Sequence, residues 1–474
     1  MNLSINFKSL NKNLILIYLA TIILAFNSLI YELAFSALFS FLFGSTVEMY
    51  SLVIGFYLFS LGIGSFLFYK FTKKTKSLKN LIFLLAFIEL SIIFSVIFGI
   101  GILMITYSYN ISLAKIVGFI FVSLIGIFSG VELPLLTKIV EYFEKNSTFA
   151  KILGLDYIGS LFAGVLFPLF FYNKFGIIGT LIFSILLNSI IVLLLLFNIN
   201  LKKLKEKLLF LLFVIIIFFS LLLLFYLKTI QFFVIKSFIY TLIKKDVDYL
   251  AVKKLFGNVN IKIQNMTFSK YQIIYTYNES FRNYSFYCLG LNGVTQTCTH
   301  NYLAHHFAYI LPFYIKNNPK KHYNILILGG GDGILANTLL EFGKKNNITF
   351  NITQIELDKK VIDFCKNDPI LKKLNNNSFS KIHLVIGDAL VELVKMNKEK
   401  KKFDIVLDDL DTSYWDNKIK FTSLEYFSLV KGVLNNEGYF IIESLNVKKH
   451  FPLDKTTFTF LKTASKVFKL FFIL

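Results

Sequence analysis

Long apolar runs dominate the first half of this sequence. A helix needs roughly 20 apolar residues to cross the hydrocarbon core of a membrane. Seven runs of about that length lie at 14–36, 50–69, 81–106, 112–140, 152–172, 176–197 and 208–227. The pattern predicts a transmembrane helical domain over residues 1–243 with about seven spans.

After residue 244 the apolar runs become short and alternate with stretches of helical periodicity, which is typical of a parallel sheet covered by helices. Predicted strands lie at 324–328, 349–355, 382–386, 403–407 and 438–443. A glycine-rich turn at 329–333 joins the first strand to a helical pattern at 334–342, as in the first unit of a doubly wound sheet. We therefore predict that residues 244–474 form an α/β, Rossmann-like domain.

The charge of the chain points to a membrane surface and away from nucleic acid. The formal net charge is +21, yet Arg282 is the single arginine, and recognition of bases and phosphates favours arginine. Lysines crowd the loops at 70–80, 141–151 and 198–207, where they are typical of cytoplasmic loops that face anionic lipid. We predict a multi-pass protein of the cell membrane with its N-terminus inside.

The segment at 229–243 leaves two topologies open. It is apolar but short, and Lys236 interrupts it, so it is either an eighth span or an amphipathic helix lying on the membrane surface. We expect the domain that follows to lie on the cytoplasmic side, where a nucleotide-like substrate is found.

Four acidic residues lie in or beside the apolar runs, where burial of a carboxylate is costly. They are Glu32, Glu89, Glu132 and Asp156. They are candidates for a cation site; alternatively, each ties neighbouring helices together by hydrogen bonds. Glycines in the same runs are expected to mark close approach of helices, and they are Gly62, Gly64, Gly154, Gly159 and Gly164.

The three cysteines predict neither a disulfide framework nor a metal site. Cys288, Cys298 and Cys365 are few and scattered, and the spacing of Cys and His residues matches no metal-binding pattern. We expect three reduced, buried thiols and no bound metal.

Acidic residues follow the predicted strands one after another. They are Asp332, Glu356, Asp388, Asp408 and Asp411. In open α/β sheets ligands bind outside the carboxyl ends of the strands, so these carboxylates are expected to converge on one cleft. Such a cleft repels a phosphate-rich dinucleotide and attracts a cationic nucleoside together with an amine. In it, Glu356 is placed to accept the ribose hydroxyls and Asp388 the adenine amino group.

Several motifs of the α/β half occur in the order and spacing of one known family. They are YQ at 271–272, LNGVTQ at 291–296, ILILGGGDG at 325–333, IELD at 355–358, GDA at 387–389 and DIVLDDLD at 404–411. Together they resemble the spermidine synthases, also called polyamine aminopropyltransferases. The apolar half is similar to the multi-pass membrane branch of this family, in YEL at 31–33, GIGS at 62–65, ELP at 132–134 and LDYIG at 155–159.

The resemblance implies a fold like that of S-adenosylmethionine-dependent methyltransferases and a transferase activity. The expected reaction moves an aminopropyl group from decarboxylated S-adenosylmethionine, a co-substrate, to putrescine, giving spermidine and methylthioadenosine, with no cofactor. Partners are then a small polyamine, the adenosyl donor and the lipid bilayer, with a homo-oligomer possible. Two alternatives stay open: an S-adenosylmethionine-dependent methyltransferase, and a non-catalytic polyamine transporter or sensor.

The resemblance also implies roles for individual residues. Asp408 would be the catalytic proton acceptor. The nucleoside would be bound by Gln272, Gly329, Gly331, Glu356, Asp388 and Ala389. The amine would be bound by His305, His306, Asp332 and Asp411, where two ways of counting place the family's histidine on either His306 or His305.

Three further expectations concern the edges of this match. Asp358 is expected to cap the helix that follows it, and Asp409 to be a solvated loop residue. The sequence ends at Leu474, before the closing strands of the family, so the sheet is expected to be incomplete.

Overall fold

The computed structural model describes residues 7–43, 46–72, 77–144, 148–199, 201–249, 260–281, 283–315, 321–410, 420–442 and 455–468. The chain divides into two compact units, Met1–Ile235 and Lys236–Leu474. We call the first the helical unit and the second the α/β unit.

The helical unit is built from long apolar helices. They are α1 (Phe7–Phe43), α2 (Thr46–Thr72), α3 (Leu78–Tyr109), α4 (Ile111–Val140), α5 (Thr148–Leu166), a π-helical turn (Phe167–Phe171), α6 (Tyr172–Phe197) and α7 (Leu204–Phe225). A further helix, α8 (Leu227–Tyr249), follows. The described residues contain six helical stretches long and apolar enough to cross a membrane, and α8 is not among them.

Seven spans were expected from the apolar runs, and the difference comes from the fifth and sixth runs. They form one helical stretch, Thr148–Phe197, of 50 residues. Within it the π-helical turn follows α5, and Gly176 departs from helical geometry with φ 63° and ψ −174°. The two runs are therefore joined through a kink and not through a loop.

Small residues let α2 and α4 approach closely. A Cβ atom on Gly64 would lie 2.0 Å from the carbonyl oxygen of Ile127, and one on Gly130 would lie 2.1 Å from that of Leu61. On α5, a Cβ atom on Gly159 would lie 2.2 Å from the carbonyl oxygen of Ile22. The expectation of close approach is thus confirmed for Gly64 and Gly159.

The same expectation is wrong for the other glycines. An added Cβ atom would meet nothing within 4 Å at Gly62 or Gly154, and at Gly164 it would only touch a leucine methyl at 3.9 Å. Spacing along the sequence does not reveal which side of a helix faces a neighbour, so it cannot separate these positions from Gly64 and Gly159.

The α/β unit begins with an antiparallel sheet that the sequence did not predict. Its strands are β1 (Asn260–Phe268), β2 (Ile273–Phe281), β3 (Tyr284–Leu291) and β4 (Val294–Cys298), in the order β1-β2-β3-β4. Asn292 and Gly293 turn the chain between β3 and β4 with φ of 50° and 89°, the left-handed geometry that Asn-Gly supplies in hairpins.

Two of the three cysteines are bonded to each other, contrary to the expectation of reduced thiols. Cys288 on β3 and Cys298 on β4 are paired across the hairpin and form a disulfide. The two cysteines are ten residues apart in the sequence, and this spacing predicts a disulfide only when the register of the hairpin is known. The bond was therefore not predicted from the sequence. Cys365 is a free, buried thiol, as expected.

A five-stranded parallel sheet forms the rest of the unit. Its strands are β5 (His322–Gly329), β6 (Thr349–Glu356), β7 (His383–Ile386), β8 (Phe403–Asp409) and β9 (Leu434–Ile442), in the order β7-β6-β5-β8-β9. Every pairing is parallel. The five predicted strands and the Rossmann-like class are confirmed, although β9 begins four residues before its predicted start.

Helices cover both faces of this sheet. They are α9 (Tyr302–Ile315), α10 (Ile334–Asn346), α11 (Lys359–Asn367), α12 (Pro369–Asn375), α13 (Ala389–Lys398), α14 (Leu424–Val433) and α15 (Lys455–Ala464). Alternate residues of β5 enter two cores: Leu326 and Leu328 pack with α13 and α14, while Ile325 and Ile327 pack with α9 and α10. Burial on both faces explains why β5 reads as a continuous apolar run.

Candidate functional site at the carboxyl edge of the sheet

The parallel sheet brings the ends of its strands to one edge, and four acidic side chains there share one local geometry. Each carboxyl accepts a hydrogen bond from the backbone N–H two residues further along the chain. The distances are 2.9 Å for Asp332, 2.9 Å for Glu356, 2.8 Å for Asp388 and 3.1 Å for Asp408. Because the chain turns away from each strand at these residues, the turn supplies a free N–H that fixes the carboxyl.

The glycine-rich turn lies directly against Glu356. A Cβ atom on Gly331 would be 2.7 Å from a carboxyl oxygen of Glu356, and one on Gly329 would be 2.3 Å from the carbonyl oxygen of Asp409. Gly329, Gly330 and Gly333 have φ of 89°, 68° and 74°, a region that side chains other than glycine rarely adopt. These positions therefore require glycine, because Glu356 and the backbone of Asp409 leave no room for a side chain at Gly331 and Gly329.

Gln354 stabilises this turn through hydrogen bonds, a role that the sequence did not predict. Its side chain is completely buried. The amide nitrogen donates to the carbonyl oxygens of Gly329 at 3.0 Å and Gly330 at 2.6 Å. Strand β6 also carries Thr349, Asn351 and Thr353, so no signal in the sequence singles out Gln354.

Glu356 is the acid whose titration the site changes most clearly. Burial raises the pKa of Glu356 to about 7, with smaller contributions from the charges of Asp358 and Asp409. Burial likewise raises the pKa of the Cys365 thiol, and the carboxyls of Asp332, Asp368 and Glu356 add to that shift. Asp332 and Glu356 therefore both act electrostatically on the same buried thiol.

Asp388 and Ala389 lie where β7 passes into α13. Asp388 is the N-cap of α13, and Gly387 donates its N–H to the carbonyl oxygen of Glu356 at 3.0 Å. The ammonium of Lys420 lies 3.3 Å from the Asp388 carboxyl. Ala389, the first residue of the helix, is buried.

Asp408 is placed differently from Glu356. Its side chain is 1% exposed and accepts a 2.5 Å hydrogen bond from the hydroxyl of the fully buried Tyr426 on α14. Burial raises the pKa of Tyr426, and the neighbouring charge of Asp408 raises it further. The expected convergence of all the strand-end acids is thus incomplete, because Asp408 turns toward the face of the sheet that α14 covers.

Asp409 is the second correction at this edge. It was expected to be a solvated loop residue, yet it is the last residue of β8 and is half-buried. The Tyr309 hydroxyl is 3.4 Å from its carboxyl and donates at 3.0 Å to the carbonyl oxygen of Asp408. Since successive strand residues point to opposite faces, Asp409 faces Gly330 and Glu356 while Asp408 faces Tyr426.

Three remaining predicted residues lie on neighbouring elements. Gln272 donates to the Asp358 carboxyl at 3.2 Å, and Asp358 caps α11 through Lys360 N–H at 3.0 Å, as expected. His306 on α9 is 2% exposed, and its Nδ1 lies 3.1 Å from the Thr338 hydroxyl.

Two predicted amine-binding residues cannot be placed in the same detail. His305 belongs to α9, and its side chain lies outside the described part of the chain. Asp411 also lies outside the described residues.

One group of possible metal ligands occurs among the described residues. Ligand atoms of Glu279, Cys288 and Cys298 lie within 4.8 Å of one another. The disulfide occupies both sulfur atoms, and a metal requires thiolates. These residues in their present state do not fit a metal ion.

Comparison with known proteins places this chain in a family. The model of the spermine/spermidine synthase domain matches residues 298–473. The polyamine aminopropyltransferase of Leptospira interrogans is 28% identical over 433 residues, covering 90% of this chain and 78% of that protein. Polyamine aminopropyltransferase 2 of Aquifex aeolicus is 30% identical over 430 residues, covering 88% of this chain and 77% of that protein.

One solved structure also matches part of this chain. A spermidine synthase in complex with the transition-state analogue AdoDATO matches with a TM-score of 0.34 and 23% identity, over 44% of this chain and 64% of that chain.

These relatives define a class of transferases. The chain belongs to the polyamine aminopropyltransferase family, that of the spermine and spermidine synthases. Spermidine synthases use decarboxylated S-adenosylmethionine as a substrate and need no cofactor, in agreement with the expectation from the sequence. The match to the relatives covers the helical unit as well as the α/β unit.

Proposed function

We propose that this protein transfers the aminopropyl group of decarboxylated S-adenosylmethionine to putrescine, giving spermidine and methylthioadenosine. The observation that carries the proposal is the row of four carboxyls at the carboxyl edge of the sheet, next to the glycine-rich turn. A backbone N–H holds each carboxyl in place by a hydrogen bond. Both substrates are cationic, and a row of carboxylates attracts cations. The family membership supports the same transfer reaction.

The nucleoside half of the donor fits the Glu356 side of the edge. Glu356 lies against Gly331, so its carboxylate is placed to accept the two ribose hydroxyls while the glycine turn passes close to the ligand. Asp388 follows the neighbouring strand β7 and precedes Ala389, and it is placed to accept a hydrogen bond from the adenine amino group. Gln272 approaches the same region through its hydrogen bond to Asp358.

The reaction itself needs an uncharged amine nitrogen and a proton acceptor. In this proposal the amine reaches past the Glu356 side of the edge to Asp408, on the face of the sheet that α14 covers, and Asp408 takes a proton from the attacking ammonium. The nitrogen lone pair then forms a bond to the methylene carbon beside the sulfonium. The carbon–sulfur bond breaks, its electron pair returns to sulfur, and neutral methylthioadenosine leaves. The hydrogen bonds from Tyr426 and Leu410 N–H hold the Asp408 carboxyl in one orientation, which is what a positioned base requires.

The amine is proposed to bind through Asp332, Asp411 and a histidine of α9, either His305 or His306. Of these, Asp332 lies on the Glu356 side of the edge, near Cys365. His306 is buried against Thr338, so contact with an amine would require its second ring nitrogen, Nε2.

We further propose that the helical unit spans the cell membrane. Large apolar side chains such as Phe59, Phe66 and Phe218 are 63–74% exposed on its surface, as expected where lipid replaces water. The stretch Thr148–Phe197, at ~1.5 Å per residue, is roughly 75 Å long, more than twice the ~30 Å hydrocarbon core. The break at Gly176 therefore separates two crossings.

We propose a cytoplasmic position for the α/β unit, because the adenosyl donor is made in the cytosol. The Cys288–Cys298 disulfide argues the other way, since disulfides are rare in reducing compartments. Protease treatment of intact cells separates the two positions: protection of the 260–442 region supports the cytoplasmic one, and cleavage overturns it.

The product formed from each donor tests the reaction class. The purified full-length chain is incubated with putrescine and either decarboxylated S-adenosylmethionine or S-adenosylmethionine, and the nucleoside products are separated by chromatography. We expect methylthioadenosine and spermidine in equal amounts from the first donor and no product from the second. Release of S-adenosylhomocysteine would make the protein a methyltransferase, and binding of both substrates without any product would leave a sensor.

A further inference from the structure

The helical unit buries acidic side chains on three different helices. Glu32 on α1 is 6% exposed, Glu89 on α3 is 0% exposed and Glu132 on α4 is 6% exposed. A fourth acid, Asp156 on α5, is half-buried. Acidic side chains are rarely placed in an apolar unit unless a partner or a ligand compensates the charge.

None of these four acids has a basic partner within the described residues. The ion pairs of the helical unit that involve described side chains lie elsewhere, between Lys79 and Glu206 and between Lys151 and Glu144. A carboxylate taken out of water without a cation is strongly destabilising. The four acids are therefore either neutralised by protons or paired with a cation that is not part of the chain.

An amide network brings a second, independent observation. Asn188 on α6 donates its amide N–H groups to the Tyr31 hydroxyl at 3.1 Å and to Glu89 Oε2 at 2.9 Å. Asn27 on α1 in turn donates to Asn188 Oδ1. These residues are all at most 1% exposed.

Two acceptor atoms of this network are left without a donor among the described residues. Glu89 Oε1 and Asn27 Oδ1 are buried and accept no hydrogen bond from the described part of the chain. Buried polar atoms are normally satisfied. Two unsatisfied oxygens beside uncompensated acids point to a missing group that carries both positive charge and N–H or O–H donors.

The acids are also electrostatically linked to one another. Glu132 shares a side-chain hydrogen bond with Glu89, and its carboxyl also interacts electrostatically with Asp156. The series runs from the fully buried Glu89 to the half-buried Asp156, and so it offers successive negative groups to a ligand that carries more than one positive charge.

We propose that Asn27, Glu89 and Glu132, with Asp156, form a binding site for a linear alkylammonium cation in the helical unit. An ammonium group has three N–H donors and no acceptor, which matches the unsatisfied oxygens, whereas a proton shared by two carboxyls leaves Asn27 Oδ1 without a donor. The choice of an amine rests on the proposed function, which makes a cation of this class; the site itself rests on the contacts of the helical unit alone.

Binding of radiolabelled spermidine to the full-length protein in lipid nanodiscs tests the proposal. We expect two classes of site per chain, one in each unit. In Glu89→Gln and Glu132→Gln one class weakens at least tenfold, while methylthioadenosine formation stays within twofold of the wild type. The matched control is Glu141→Gln, which changes an exposed acid at the end of α4 and keeps both classes.

If these variants do not fold, a measurement on the wild-type protein still tests the proposal. A hydrophobic carbodiimide modifies buried carboxyls, and mass spectrometry reports the extent at Glu89 and Glu132. We expect spermidine to protect both residues and sodium chloride of equal ionic strength to leave them reactive. Protection by sodium alone, or no protection by either, overturns the proposal and leaves the acids as an alkali-cation site or as protonated helix contacts.

The two proposals fail in different ways. If the α/β unit is not an aminopropyltransferase, methylthioadenosine is not formed by the wild type, yet spermidine still protects Glu89. If only the cation site is wrong, methylthioadenosine is formed and a single class of spermidine site remains, unaffected by Glu89→Gln.

Discussion

The helical unit and the α/β unit hold their acidic side chains by opposite means. In the α/β unit each strand-end acid is fixed by a backbone N–H two residues away. In the helical unit Glu89 is held by Asn188, 99 positions further along the chain. Local turns thus position carboxyls at an open edge, whereas helix packing positions them inside the helical unit, and only the first kind can be read from neighbouring residues.

Packing of the helical unit is expected to be the more fragile of the two. In Gly64→Ala the new methyl group meets the backbone oxygen of Ile127, and no change of rotamer can relieve that contact. We expect a loss of about 3 kcal/mol of stability, the upper end of the usual cost of overpacking. Thermal unfolding of the detergent-solubilised protein measures it.

Gly62→Ala is the matched control for this change, because it adds the same atom two residues away where nothing lies within 4 Å. We expect no loss of stability, and the higher helix propensity of alanine should add about 0.5–1 kcal/mol. Equal destabilisation by both substitutions would show that α2 and α4 do not pack as described.

In the α/β unit the largest effect short of removing an acid is expected from Tyr426→Phe. The change deletes one hydroxyl, and with it the hydrogen bond that holds the buried Asp408 carboxyl. A hydrogen bond to a charged group contributes about 1.5–3 kcal/mol, so kcat should fall by about 10- to 100-fold while KM for the adenosyl donor stays nearly constant. Steady-state kinetics with both substrates measures the two parameters.

The exposed Tyr284 on β3 supplies the control for that experiment, as Tyr284→Phe should leave both parameters unchanged. A rise in KM with unchanged kcat in Tyr426→Phe would mean that the hydroxyl serves binding and not the orientation of Asp408.

The pH dependence of nucleoside binding tests the role of Glu356 in the α/β unit. With a pKa of about 7, Glu356 is mostly protonated at pH 6 and mostly ionised at pH 8, and only the carboxylate accepts both ribose hydroxyls. Methylthioadenosine should therefore bind about tenfold more tightly at pH 8 than at pH 6. Calorimetric titration at both values measures this, and Glu356→Gln should bind weakly with no such dependence.

The same raised pKa predicts a change in stability of the opposite sign. Because the folded protein binds the Glu356 proton more tightly than the unfolded chain does, the stabilisation is complete below about pH 4.5 and is lost as pH rises to about 7. In Glu356→Gln this loss should disappear from the pH profile of unfolding. A profile identical to that of the wild type would show that Glu356 titrates normally.

The smallest effect is expected at Gln354, which acts only through the glycine turn. Gln354→Met keeps the size of the side chain and removes two hydrogen bonds to Gly329 and Gly330. Each contributes about 1 kcal/mol to holding the turn. Because the ligand contacts the turn and not Gln354, only part of this loss reaches binding, and methylthioadenosine should bind less than about tenfold more weakly, with kcat less affected. Unchanged binding would show that the turn keeps its shape without Gln354.

The parallel sheet and most of its acids could be predicted because their signals are local. Short apolar runs give the strands, and Asp332, Glu356 and Asp388 each follow a strand directly. The antiparallel sheet was missed, since β1 to β4 carry polar residues on both faces and their order depends on hairpin turns. The Cys288–Cys298 bond depends on the register of those same strands.

The remaining misses share one cause: contacts between residues that are distant in sequence. Tyr426 on α14 reaches Asp408 on β8, and Gln354 on β6 reaches the glycine turn that follows the adjacent strand β5. The direction of Asp408 relative to Asp409 follows from the exact end of β8, which the sequence places only within a few residues. The kink at Gly176 similarly depends on backbone angles that no apolar run reveals.

The identity of the proton acceptor at the sheet edge tests the account most directly. The rate of methylthioadenosine formation is measured for Asp408→Asn, for the neighbouring Asp409→Asn and for Asp363→Asn, an exposed acid on α11. The account predicts a loss of about 100- to 10,000-fold in kcat for Asp408→Asn, as is usual when a general base is removed, and at most a tenfold loss for the other two. A fully active Asp408→Asn, or a larger loss in Asp409→Asn, would contradict it.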